Sequence, residues 1–153
     1  MPNGRQSPGR GQPGAAAREL PKPQPVKYFE ADGKTLRAAL LDAEAEQWAQ
    51  KLQRVKPSQL RRFYDHVLSI ERRLKLESGG GSQATAAFNR LKPELMMLKA
   101  KAAYAQGRGT ITKPLLEFVL NHTASVKSVE DFQAFRLHFE AVVAFHGYYG
   151  EKE

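Results

Sequence analysis

The order of apolar and polar residues along the chain predicts helices from Thr35 to the C-terminus. Between Gln59 and about Glu77, apolar residues recur three and four positions apart, which is the spacing of one buried helical stripe. The stripe consists of Leu60, Phe63, Val67, Ile70 and Leu74. No segment shows the strict alternation that is typical of a strand. The pattern therefore predicts an all-α protein, a compact bundle of about five helices.

Capping residues and helix breakers divide this pattern. Residues that favour a helix N-cap precede four of the predicted helices: Thr35, Ser58, Thr112 and Ser128. The first helix is expected to run to about Lys56, because the proline that follows disfavours helical geometry there. The third is expected to start near Gln83 and to kink or restart at Pro93, since a proline in a helix interior costs about 3 kcal/mol. Glycines are expected to end the third and fifth helices: Gly107, Gly109 and Gly150.

The fifth predicted helix is apolar on nearly all sides. Phe132, Phe135 and Phe139 begin one apolar face, and only a narrow wedge around Arg136 is polar. Such a helix usually lies at the centre of a bundle or against a partner. His146 projects among these apolar residues, so the pattern favours a hydrogen-bonded core histidine over a catalytic or metal-binding one.

Two segments differ from the helical pattern in composition. Residues 1–27 are rich in proline, glycine and glutamine and have almost nothing to bury, which predicts a disordered, basic tail. Residues 28–153 are then expected to form a single helical domain. Within it, the sequence Ser-Gly-Gly-Gly-Ser at 78–82 predicts a flexible break between two helices, either a natural loop or an engineered linker.

Composition narrows the class of function. The absence of cysteine excludes disulfides, thiolate metal sites and cysteine nucleophiles. No glycine-rich phosphate loop, zinc motif or pair of suitably spaced carboxylates is present. We therefore expect no catalytic residue, no metal and no cofactor. No apolar stretch is long enough for a membrane span and the start lacks a signal-peptide core, so a soluble cytoplasmic protein without a membrane partner is expected.

The positive charge of the chain is concentrated in two helical segments. The formal net charge is +8, of which residues 51–75 carry +6 and residues 90–108 carry +4, offset by acidic residues elsewhere. Such clustering favours an acidic partner such as nucleic acid, although cations on an exposed helix face are often only solvated. Charge alone leaves both interpretations open.

The helical period places the cations of each segment on one face. On the third helix Lys101, Tyr104 and Arg108 share a narrow arc with Arg90 and Met97. On the second helix the arginines lie away from the buried stripe: Arg61, Arg62, Arg72 and Arg73. Cations neutralise phosphates and a tyrosine ring stacks on a base, which is what binding of a single strand requires.

Three motifs, in order, closely resemble the small helical subunit of type III-A CRISPR effector complexes, the Csm complexes. They are SQLRRFYDHV, LKPELMMLKAKAAYAQGRG and VEDFQAFRLHFEAVVAFHGYYG, and the resemblance spans about residues 48 to 150. It implies a non-catalytic subunit that stacks in several copies along a filament of backbone subunits and guide RNA, beside a large subunit. The copies are expected to hold the target RNA, or its duplex with the guide, by sequence-independent backbone contacts in antiviral defence.

The resemblance also implies which residues bind RNA. The QLRRFY motif places Arg61 and Arg62 at basic positions of the family, and KxKxAYAxGR does the same for Lys99, Lys101, Tyr104 and Arg108. Arg73 is added to this candidate set because of its position on the second helix. Where many relatives have a second proline between the two lysines, this chain has Ala100. Three alternatives remain: a purely structural assembly subunit, a stand-alone helical DNA-binding protein, and, least favoured, an enzyme.

Overall fold

The computed structural model describes residues 18–79 and 83–151, and within these ranges the protein is an all-α bundle. The elements are a 3-10 helix, Ala38–Leu41, and five α-helices: α1 Ala43–Lys51, α2 Pro57–Ser78, α3 Ala84–Gly107, α4 Lys113–Ser125 and α5 Val129–Tyr149. Phe29 and Leu36 form one isolated antiparallel bridge, and the described ranges contain no strand. The predicted fold class is confirmed. Among the helices of these ranges, none is long and apolar enough to cross a membrane.

Helix α5 lies at the centre of the bundle, as its apolar circumference predicts. It packs against α1, α2, α3 and the 3-10 helix. Aromatic rings fill the space between it and α4, with Phe118 of α4 fully buried. The Phe118 ring centroid lies 5.1 Å from that of Phe139 and 5.3 Å from that of Trp48. Buried aromatic clusters of this kind contribute a large share of the hydrophobic stabilisation of a small domain.

Two buried histidines of α5 hold the ends of α1. His138 Nδ1 lies 2.5 Å from the carbonyl oxygen of Leu40, just before α1, and His146 Nε2 lies 3.0 Å from that of Leu52, just after it. Because a carbonyl oxygen only accepts, each of these ring nitrogens donates its hydrogen. The prediction that His146 is a hydrogen-bonded core histidine is confirmed.

The start of the first predicted helix is wrong. Thr35 does not cap a helix, because its hydroxyl and backbone N–H donate to the carboxylate of Asp32, at 2.5 and 2.8 Å. Gly33, with φ of 69°, completes this turn. The predicted single helix is also divided: the 3-10 helix ends at Leu41, and Asp42, whose backbone is not helical, separates it from α1.

The other predicted helix starts are partly correct. Helix α2 begins at Pro57 rather than after Ser58, since proline suits the first helical position, where its missing N–H costs nothing. Thr112 occupies the N-cap of α4 without a side-chain hydrogen bond. Ser128 caps α5 as predicted, with its hydroxyl accepting from the backbone N–H of Asp131 at 3.1 Å.

Of the predicted kink or restart at Pro93, the restart is wrong, because helix α3 continues through this residue. Proline removes one backbone hydrogen bond from the interior of a helix. Apolar residues on both sides of it are fully buried: Phe88, Leu91 and Leu95. Burying each such side chain contributes about 1.5–3 kcal/mol, which together exceeds the cost of the proline. Beyond its C-terminus, Gly109 takes a positive φ of 77°, as expected of a glycine at a helix end.

Part of the predicted tail lies within the described residues. Residues 18–27 form no helix or strand, and two of their backbone N–H groups donate to side chains of α4: Gln24 to Asn121 at 2.8 Å and Val26 to Ser125 at 3.0 Å. Tyr28 follows and lies buried, with its hydroxyl 2.7 Å from His122 Nδ1. Residues 1–17 of the tail and 80–82 of the predicted break lie outside the described residues. The domain boundary at residues 27 and 28 stays a prediction.

Candidate nucleic-acid interface

Helices α2 and α3 pack side by side in opposite directions. His66 of α2 contacts the carbonyl oxygen of Glu94 at 2.9 Å, while Arg90, earlier in α3, pairs with Glu77, later in α2, at 3.5 Å. The apolar stripe of α2 faces the buried residues Leu91, Leu95 and Leu98 of α3. A groove opens between the two helices where α2 begins and α3 ends.

This groove has a volume of about 580 Å³ and an apolar floor. Phe63 of α2 and Leu98 of α3 line it and are buried. Two large side chains of α3 stand at its rim, with Met97 52% and Tyr104 70% exposed. The groove is therefore a concave surface with exposed apolar and aromatic groups at its edge, and differs from an evenly solvated helix face.

Three cations line the groove without a carboxylate among the lining residues. They are Arg62 of α2 and Lys101 and Arg108 of α3. Within the described part of the chain, none of the three lies within 4.0 Å of a carboxylate oxygen. Unpaired cations that converge on one concavity raise the local positive potential there, which attracts an anionic ligand.

A histidine of α2 contacts one of the cations of α3. Lys101 Nζ lies 3.1 Å from His66 Nδ1, and the other ring nitrogen of His66 faces the Glu94 carbonyl. Since the carbonyl and the ammonium have fixed roles, His66 donates through Nε2 and accepts through Nδ1. This arrangement holds Lys101 over the groove and leaves two of its three hydrogens for a ligand.

The aromatic ring of Tyr104 at the groove lies next to the guanidinium of Arg108. The Arg108 guanidinium carbon lies 5.9 Å from the centroid of the Tyr104 ring, within the range of a cation–π contact. Both groups are planar and exposed to solvent. The structure thus brings together four of the residues that sequence analysis selected: Arg62, Lys101, Tyr104 and Arg108.

The other three selected residues lie outside the groove. Arg61 pairs with Asp65 at 3.6 Å and lies beside the ring of Tyr64. Arg73 pairs with Glu94 and, at 4.0 Å, with Glu77, so its charge is largely neutralised within the protein. Lys99 is exposed on α3 but lies about 160° around the helix from Lys101.

His66 also lines the groove, although it is not among the residues predicted from the sequence. It lies one helical turn after Arg62 on the same face of α2, which was a usable signal. Its contact with Lys101 joins residues 35 positions apart and depends on how α2 and α3 are rotated against each other. Local periodicity does not determine that rotation.

The remaining histidines serve the core. His122 and His138 are buried, with ring centroids 5.1 Å apart, and both are packed among phenylalanines of α4 and α5. In the described ranges, no three histidine or carboxylate side chains are grouped so that they could hold a metal ion. The groove between α2 and α3 is accordingly the best candidate for a functional site.

Comparison with protein-family models matches residues 35–152 to the family described as Csm2 Type III-A. The match includes both helices of the groove and all seven selected residues. Comparisons with curated proteins and with solved structures give no significant match.

Proposed function

The chain belongs to the Csm2 Type III-A family, and on that premise we propose that it binds RNA in its assembly through the groove between α2 and α3. Membership implies a small subunit of the Csm complex of a type III-A CRISPR system, associated with the other subunits of that complex. The further steps are our proposal: the subunit is not catalytic, acts in the cytoplasm, and stacks in several copies along the filament. Each copy contacts the target RNA, or its duplex with the guide, without reading sequence.

One observation carries this proposal: Arg62, Lys101 and Arg108 converge on a groove that no carboxylate lines. Elsewhere on the same two helices, three arginines are paired with carboxylates: Arg61, Arg73 and Arg90. Cations that lie close together and have no carboxylate partner are suited to binding phosphate oxygens. Phosphate contacts carry no sequence information, which fits a subunit that must accept any target.

Each copy is expected to contribute little affinity alone. Exposed charge pairs contribute up to about 1 kcal/mol each, and salt screens them. Several copies held along one strand act together, because each further contact is intramolecular and gains from a high effective concentration. Three phosphate contacts on a single strand also give a salt dependence, log K against log salt concentration, with a slope of about −2 per copy.

The test replaces Lys101 and Arg108 by alanine in assembled complexes and measures target RNA affinity over a range of salt concentrations. At about 0.15 M salt the affinity should fall roughly tenfold or more, and the salt slope should become shallower by about 1.4 per copy. The order of preference among target sequences should not change. The matched control removes two exposed cations outside the groove, Arg72→Ala with Lys92→Ala, and should change both quantities much less.

Three results would contradict the proposal. An unchanged salt slope in the Lys101 and Arg108 variant would show that the groove does not contact phosphates. Failure of the variant to assemble, with normal RNA affinity in the remaining complex, would instead place the groove at a contact with an acidic protein neighbour. If the Arg72 and Lys92 control lowers affinity equally, general charge rather than the groove accounts for binding.

A further inference from the structure

We propose that the groove between α2 and α3 accommodates the base of one unpaired nucleotide of RNA, in addition to contacting its phosphates. The inference rests on the proposed function and deepens it by naming the ligand unit. The base would lie over the apolar floor against Tyr104 and Met97, and the phosphates on either side would reach Arg62 and Arg108. The site is thus a nucleotide pocket that distinguishes single strands from duplexes.

The shape of the groove carries this inference. A surface that only neutralises phosphates needs exposed cations, and it needs neither a concavity nor an apolar floor. Here Phe63 and Leu98 form such a floor beneath the cations. A volume of about 580 Å³ lies within the range of roughly 300–1,000 Å³ that is typical of pockets for small organic ligands.

Two large exposed side chains stand together at this pocket. Six large apolar side chains are exposed in the described part of the chain, and two of them, Met97 and Tyr104, lie on the rim of this groove. They are seven residues apart on α3, which corresponds to two turns and about 10 Å. Both side chains are exposed to water, and a bound planar group would cover their apolar surface.

The chemistry of the rim favours a nucleobase. Tyrosine rings and arginine guanidinium planes are the side-chain groups on which unstacked bases commonly rest, and Arg108 lies 5.9 Å from the Tyr104 ring centroid. An acidic peptide would satisfy the cations equally well but offers no planar group matched to this pair. In a helical duplex both faces of each base are covered by its neighbours, so only an unpaired base can enter.

The test compares two single-stranded RNAs of equal length, one ordinary and one with abasic ribose at every position, by fluorescence anisotropy with the full-length chain. Abasic RNA should bind at least about fivefold more weakly, because each stacked base adds measurable affinity. The variant Tyr104→Leu should abolish this difference, whereas Tyr104→Phe, which keeps a ring, should retain it. Tyr148→Leu is the matched control, since Tyr148 is 82% exposed on α5 and does not line the groove.

The outcomes separate this inference from the proposed function. If the two RNAs bind equally and the Lys101 and Arg108 variant weakens both, the groove binds only the backbone, and the nucleotide pocket is refuted while the proposed function holds. If neither RNA binds the chain, and affinity in assembled complexes is insensitive to the groove variants, both fail. If polyglutamate binds more tightly than RNA and Tyr104→Leu weakens it, the groove belongs to a protein partner and the inference is overturned.

Discussion

Acidification should destabilise this bundle through two buried histidines, His122 and His138. Burial lowers the pKa of His122 well below its ordinary value of 6.5, and the neighbouring His138 adds to this effect. Burial also lowers the pKa of His138, although its hydrogen bond to the Leu40 carbonyl partly opposes the shift. Burial raises the pKa of Tyr28, which stays protonated and can donate to His122 Nδ1. A proton on His122 would remove that acceptor.

The sign and size of the effect follow from proton linkage. Because the pKa values are lower in the folded protein, the unfolded chain binds more protons below pH 6.5. Stability present above pH 6.5 is therefore lost as the pH falls towards the folded-state values. A histidine that stays neutral in the folded protein at pH 5 contributes a loss of at most about 2 kcal/mol, at 1.36 kcal/mol per pH unit. The pair should therefore cost up to about 4 kcal/mol, against the about 5–15 kcal/mol of stability typical of a domain.

Urea unfolding between pH 7.5 and pH 5 measures this loss, with Trp48, the single tryptophan, as the fluorescent reporter. The variant His122→Gln removes one titrating group and keeps a polar side chain beside Tyr28. Its absolute stability is expected to fall, but its loss between pH 7.5 and pH 5 should be smaller than that of the unmodified protein. His66→Gln, at the groove, should keep most of the pH dependence. Equal stability at both pH values, or an unchanged pH dependence in His122→Gln, would refute the reasoning.

Two further predictions concern the bundle itself. Phe118→Ala should lower the free energy of unfolding by about 3–5 kcal/mol in urea titrations, because it empties a fully buried ring position. Leu76→Ala, at a side chain 82% exposed, should change it by less than about 0.5 kcal/mol, and comparable losses would contradict the packing argument. Ser128→Ala should cost about 1 kcal/mol by removing the N-cap of α5. The matched Ser69→Ala in the exposed middle of α2 should be neutral or stabilising, and a loss equal to that at Ser128 would show that capping is not the cause.

The long helices could be predicted because their cause is local. The stripe of α2 and the apolar circumference of α5 follow from residue spacing alone, and the structure places both as expected. Thr35 was misjudged because a nearby turn uses its hydroxyl and N–H groups, and the Asp32-Gly33 pair was the overlooked signal. The restart at Pro93 was predicted wrongly because tertiary burial along α3 outweighs a local cost.

The candidate site was predictable only in part. Helical phase placed Lys101, Tyr104 and Arg108 on one face, and the structure joins Arg62 to them. Which cations stay free depends in part on ion pairs between residues far apart in the sequence. Arg73, for example, is neutralised by Glu94, 21 positions away, and no local pattern indicates that contact. The concavity itself depends on the packing of α2 against α3. The spacing of apolar residues along each helix does not predict that packing.

The hydrogen bonds from His138 and His146 of α5 to the two ends of α1 require α1 to keep a fixed length. His138 and His146 are eight residues apart, about 12 Å along α5, and their carbonyl partners Leu40 and Leu52 bracket α1. Inserting or deleting one residue in α1 would turn one of these carbonyls by about 100° and shift it by about 1.5 Å, leaving a buried ring N–H unpaired. Variants with altered chain length should therefore tolerate the change around Gly79 and reject it between residues 43 and 51.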